Sequence, residues 1–231
     1  LHAYFGDIYL SELKRPCLVP AYALAERSAY FFTREKALRT ASADFRVVDV
    51  ARATAAAPTY FPTALIHSRS GEEYGFIDGG VFANNPAMCA YAEVRKMRFG
   101  GGREPKGRNM FLLSIGTGTN KAPIDPARSA QFGLVQWVQP LIDVMMSGNA
   151  ETVEHQMHQL FAAADNRSHY VRLNPLLDRR LVDPAMDAAS EGNREALLLL
   201  AEGYIEANQE TLVQVAQELL RLNALKKEEY T

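Results

Sequence analysis

The segment FIDGGVFANNP, residues 76–86, holds the side chains of this sequence best arranged for chemistry. A short apolar run of strand length delivers Asp78 to its end, and Gly79 and Gly80 follow with no side chain to obstruct an approaching ligand. Asn85 and Pro86 then start a helix, with an Asx side chain at the cap and a proline in the first turn, where its missing amide hydrogen is not needed. A carboxylate at a strand end, facing a crevice, can serve as general base and then general acid. The same letters also suit an ordinary Asp-Gly turn in which the glycines take up positive φ. The two readings differ in what the glycines are for: open space in one, backbone freedom in the other.

Other candidate groups have plainer readings. Glu151, His155 and His158 share one face of a helix, as metal ligands would, but without an HExxH pattern or a second cluster they read as solvated side chains, and no metal or cofactor is expected. Gly100-Gly101-Gly102-Arg103 follows a helix and precedes a strand, the reverse of an anion-binding glycine loop, so it reads as a connector. Gly116-Thr117-Gly118 lacks the third glycine and lysine of a phosphate loop and reads as a tight strand exit. His2, His67 and His169 are isolated. Cys17 and Cys89 are too few for a disulfide framework and fit a reducing compartment.

Three ordered segments, ARATAAAPTYFP (51–62), DGGVFANNP (78–86) and LSIGTG (113–118), resemble the patatin-like phospholipase family. The flanking LHAYFGDIYLSELKRPCLVPAY and MDAASEGNREALLLLA fit the same pattern, so the likeness runs over nearly all of the chain. The resemblance implies a lipid acyl hydrolase, a serine esterase of phospholipase A type acting on membrane glycerolipids through a Ser–Asp dyad, with Asp78 on the carboxylate position and Gly79 and Gly80 forming the site turn. It also implies a GxSxG nucleophile elbow and a glycine-rich oxyanion loop. No serine here has that setting: Ser114 lies in LLSIG and Ser147 in MMSGN, without the leading glycine of a strained elbow. The chain is therefore expected to lack the N-terminal portion of its domain and to be inactive alone. The alternative is a catalytically dead patatin-like module that binds lipid or a protein partner.

The elements that must position Asp78 follow from the pattern. Residues 17–24 and 29–33 read as strands joined by a tight connection, and 63–67 and 73–77 as strands around a polar turn. Between these pairs, Val47 to Ala57 is an alanine-rich helix stopped by Pro58. The helix begun at Asn85-Pro86 should run to about Met97, and Met110 to Ile115 is a continuous apolar run suited to a buried parallel strand. Phe132 to Met146 is an apolar helix with a kink expected at Pro140, followed by a second helix from Asn149 to Ala164 and a strand at 169–173. Lacking lysine and arginine, the first of these helices reads as a core or subunit-contact element more than as an acyl channel or an interfacial helix. Ser190 to Lys227 is helical. Strands alternating with helices predict one α/β domain over residues 1–231, with a mainly parallel sheet covered by helices on both faces and a helical C-terminal part; the patatin-like resemblance implies a relation to the α/β-hydrolases.

Composition narrows the function classes further. The 231 residues are 48% hydrophobic, enough for a sizeable core, which removes disorder as the main theme. Twenty-five Lys and Arg against 27 Asp and Glu give a net charge of −2, so no nucleic-acid binding is expected. The sequence contains no apolar run of spanning length and no secretory leader, and a cytoplasmic protein touching membranes peripherally is the expectation. A sheet without its first strands would expose an apolar edge, so a covering partner or a second copy is expected against it.

Overall fold

A computed structural model of the chain describes residues 1–97, 105–121 and 123–228. After a short helix α1 (His2–Phe5), strands β1 (Leu18–Ala23) and β2 (Ser28–Thr33) form a hairpin. Helices α2 (Arg34–Ala37) and α3 (Val47–Thr54) then lead to a second hairpin of β3 (Ala64–His67) and β4 (Glu73–Asp78). Next come α4 (Gly80–Ala83), α5 (Ala87–Lys96), β5 (Leu112–Ile115), α6 (Pro126–Ser129), α7 (Leu134–Ala163) and β6 (Tyr170–Leu173). Helices α8 (Glu191–Ala207) and α9 (Gln209–Glu228) close the described chain.

The fold is mixed α/β, but the expectation of a mainly parallel sheet is overturned. The larger sheet has four strands in the order β2-β1-β4-β3, and every pairing in it is antiparallel. Strands β5 and β6 pair in parallel. For β1–β2 and β3–β4 the reason lies in the connections. Residues 24–27 turn directly back from β1 to β2, with Arg27 at φ +49°. Between β3 and β4, Ser68 N–H bonds to Glu72 O at 2.9 Å and Gly71 sits at φ +89°. Links of this length close hairpins, whereas parallel neighbours need a crossover of a dozen residues or more. Between β5 and β6 that crossover exists, and α7 is its principal element.

Burial follows the strand alternation. Phe32, Phe45 and Phe76 are fully buried and meet edge to face, with Phe32 4.9 Å from Phe76 and 5.1 Å from Phe45 between ring centroids. Helix α3 lies over this sheet on small side chains: Ala53 and Ala56 are buried in the same cluster, and Thr54 Oγ1 donates to Pro20 O at 2.6 Å. A second core joins α5, α7, β5 and β6 around Met157, Phe161 and Tyr170. Asp78 and α4 stand in the chain between the elements of the two cores.

Helix α7 departs from expectation twice. It is one continuous helix of 30 residues that passes through Pro140 and Gly148, where two helices were expected. Hydrogen bonds on both sides of Gly148, at the Met146 carbonyl and the Asn149 side chain, pin it to its neighbours, which offsets the weakness a glycine introduces in a helix interior. Its N-terminal half is not core: Leu134 is 87% and Val135 82% exposed, and Val138, Leu141, Val144 and Met145 are exposed as well. Among the described residues, no helix is long and apolar enough to cross a membrane.

Candidate active site

Asp78 is the last residue of β4, opposite Ala21 of β1. Its N–H donates to Ala56 O at 3.0 Å, so the segment after α3 and the sheet together fix its backbone. The side chain turns forward, and Oδ1 accepts the Gly80 N–H at 2.6 Å. The carboxyl group is half-buried. Loss of solvent raises its pKa above the usual aspartate value, and the Gly80 N–H bond pulls in the opposite direction without cancelling the rise. One carboxylate oxygen is thus held by the turn, and among the described residues no side chain bonds to the other.

The glycines serve space. Gly79 has right-handed helical angles, φ −68° and ψ −19°, and neither it nor Gly80 is among the residues at positive φ. A Cβ on Gly79 would overlap the Pro20 carbonyl oxygen and stand 2.6 Å from its carbon. A Cβ on Gly80 would lie 3.0 Å from Asp78 Oδ1 and 3.2 Å from Met146 Cε. The turn reading based on positive φ is therefore corrected. These residues are glycine because the Asp78 turn is pressed against β1 on one side and α7 on the other.

Three asparagines, of which the sequence pattern marks only Asn85 as a helix cap, hold that turn in place. Asn84 Nδ2 donates to Met146 O at 3.3 Å, Asn85 Nδ2 to Ala150 O at 3.5 Å, and Asn149 Nδ2 back to Phe82 O at 2.7 Å. The α4–α5 junction and α7 are thus joined by amide groups reaching across in both directions. Asn85 is 1% exposed; its Oδ1 accepts from Ala87 N–H at 3.2 Å, as a start to α5, and from Ser114 Oγ at 3.5 Å. The Asn-Asn-Pro spelling was the available signal, since two amides before a helix exceed what one cap uses.

Among the described residues no serine hydroxyl reaches Asp78. Ser114 Oγ bonds to Asn85 and accepts from Arg172 Nη1 at 2.8 Å, while Ser147 Oγ bonds back to Asp143 O within α7 at 2.8 Å. Glu151, His155 and His158 are exposed, as a solvated face should be; Glu151 faces Lys121 at 3.9 Å and His158 stands edge-on to Tyr170. Gly116 to Gly118 forms the expected tight exit from β5, with Gly118 at φ +108° and its N–H on Asn174 Oδ1 at 2.9 Å. Cys17 and Cys89 are free thiols whose pKa burial raises. The Gly100 to Arg103 connector lies outside the described residues.

Residues 1–91 match the family model of patatin-like phospholipase. The chain is 30% identical over 190 residues to patatin-like protein 2 of Arabidopsis thaliana, covering 75% of this chain and 47% of that protein. It is 27% identical over 225 residues to patatin-like protein 3 of the same plant, with 89% and 52% covered. The chain belongs to the patatin-like phospholipase family. Another relative, named probable inactive patatin-3-Kuras 1 of Solanum tuberosum, is 24% identical over 220 residues, with 89% and 58% covered. This patatin-like chain spans about half the length of the curated relatives it matches.

Proposed function

We propose that this patatin-like chain supplies the acid–base half of a serine lipid acyl hydrolase, with Asp78 as its proton carrier. The nucleophilic serine and the oxyanion loop would come from a GxSxG-bearing segment outside the sequence given. The observation that carries this reading is the state of Asp78: a half-buried carboxylate with one oxygen anchored and a raised pKa. Such a group holds and releases a proton nearer neutral pH than a solvated aspartate does, which suits acid–base work.

In the proposed reaction the serine oxygen bonds to the acyl carbonyl carbon while its proton passes to the free oxygen of Asp78, and the carbonyl becomes an oxyanion held by backbone N–H groups. Collapse breaks the bond to the glycerol oxygen, which takes the proton back from Asp78. Water then attacks the acyl-enzyme and gives a proton to Asp78. Release of the fatty acid returns that proton to serine, so the cycle is neutral. No imidazole is needed.

The substrates proposed are acyl esters of membrane glycerolipids, met by peripheral contact through the exposed apolar ridge of α7. Met146, at the end of that ridge, approaches Gly80 and so links it to the Asp78 turn. The test is hydrolysis of a phospholipid and of a nitrophenyl ester by the full-length protein. Asp78→Asn is expected to lower turnover by about 10²–10⁴-fold with the fold intact. Undiminished turnover by a folded Asp78→Asn protein would end the reading. The second reading, a non-catalytic module, is favoured by the setting of Ser114 and Ser147, both engaged away from Asp78. Wild-type full-length protein that turns over neither ester supports it.

A further inference from the structure

We propose that Arg172 is the centre of a phosphate-recognition site in the cavity that extends toward the Asp78 turn. Arg172 is the third residue of β6, in register with Ser114 of β5. Its Nη1 donates to Ser114 Oγ at 2.8 Å, which fixes the plane of the guanidinium, while its buried Nε has no hydrogen-bond partner. Gly116 makes room for it. A Cβ there would overlap Asn174 Oδ1 and stand 2.7 Å from Arg172 Nη2. The backbone has therefore been cleared for an oriented guanidinium, and Gly116 is not among the positive-φ glycines that would need the residue for another reason.

A partly buried cation of this kind requires an anion. Among the described residues, no carboxylate lies within 4.0 Å of Arg172, and several that line the same cavity are engaged elsewhere: Glu151 with Lys121, and Asp125 and Asp183 with the N–H groups of Ala127 and Ala185. The burial of the neighbouring Tyr170 hydroxyl raises its pKa. Glu154 pushes the same way and Arg172 opposes, so the Arg172 charge is felt at this depth. The cavity has a volume of about 1480 Å³, and Arg128 and Arg179 also line it. The planar fork of a guanidinium suits the oxygens of a phosphate, which can take more than one N–H at once. Asn84 and Met146 line the cavity too, and both are within 3.4 Å of where a Gly80 Cβ would stand, so the space extends from Arg172 to the Asp78 turn. A glycerophospholipid could place its phosphate at Arg172 with its ester toward Asp78; free phosphate would use the same fork. Only the lipid source rests on the acyl hydrolase reading.

Binding of inorganic phosphate to the full-length protein, followed by calorimetry at constant ionic strength with chloride as control, tests the site. Wild type is expected to bind. Arg172→Gln is expected to weaken binding about tenfold or more. Arg172→Lys, which keeps a cation but not the planar fork, should lie between. Absence of phosphate binding by wild type, or equal binding by folded Arg172→Gln or Arg172→Lys protein, overturns the proposal. The source is read from kinetics: a KM for phospholipid raised about tenfold in Arg172→Gln, with the KM for nitrophenyl butyrate unchanged, assigns the lipid head group. Loss of phosphate binding with both KM values unchanged assigns free phosphate. If wild type hydrolyses neither ester, the acyl hydrolase reading fails while the calorimetry still decides the Arg172 site.

Discussion

A half-buried aspartate at a strand end costs stability when ionised, and that cost is a consequence of the role proposed for it. The Asp78 pKa is raised in the folded chain, so folding is favoured most where the group is protonated in both states, below its unfolded pKa, and this contribution is lost as pH rises through the folded value. Asp78→Asn keeps an oxygen for the Gly80 N–H and removes the charge. It is expected to melt higher than wild type at pH 7, with the difference shrinking as pH falls through the carboxylate range; thermal melts across that range check it. For the wild-type full-length protein the same raised pKa places the acid limb of the rate profile above the usual aspartate range. Gly79→Ala makes a different test, because its Cβ would enter the Pro20 carbonyl. A cost of about 1–3 kcal/mol in chemical denaturation is expected, with turnover falling as Asp78 is displaced.

At the scale of elements, α4 is only four residues long and could not hold its place by its own hydrogen bonds. Its position is set by the asparagine bridges to α7, and they are unequal. Asn85 is buried and serves Ala87, Ala150 and Ser114 together, whereas Asn149 has one bond to Phe82 and a buried Oδ1 with no partner. Asn85→Ala is therefore expected to cost about 1–3 kcal/mol and Asn149→Ala less than about 1 kcal/mol, measured by urea unfolding. Much of this level was legible beforehand. All six strands lie where apolar runs bounded by turn residues placed them, and Asp78 ends its strand as expected. The strand directions were misread because the alternation of strands and helices outweighed the two tight connections, which decide the antiparallel pairing within each hairpin. The asparagine bridges were not legible, since they join residues more than sixty positions apart and nothing in the local pattern of α7 marks Asn149 as the donor of one of them.

Across the whole molecule, polar closure and apolar exposure are unevenly distributed. The antiparallel sheet buries its aromatic cluster, but the parallel pair β5–β6 leaves Ile115 72% exposed, unusual for a parallel strand, and α7 carries its apolar ridge outward. We propose that a lipid surface covers the ridge and that a protein partner or second copy covers the strand edge. Between Phe132 and Met146 the only charged side chain is Asp143, so the segment carries one carboxylate and no cation and gains nothing from anionic head groups. Binding through it should therefore depend on apolar burial and little on salt. Replacing Leu134 and Val138 together by serine in the full-length protein is expected to weaken co-sedimentation with phosphatidylcholine vesicles at least tenfold, since each such side chain contributes about 1.5–3 kcal/mol when fully buried. Turnover of a soluble nitrophenyl ester should not change, because neither residue touches the Asp78 turn. Vesicle binding that survives the substitution while the mass in solution falls would transfer the ridge from lipid to a second copy of the chain.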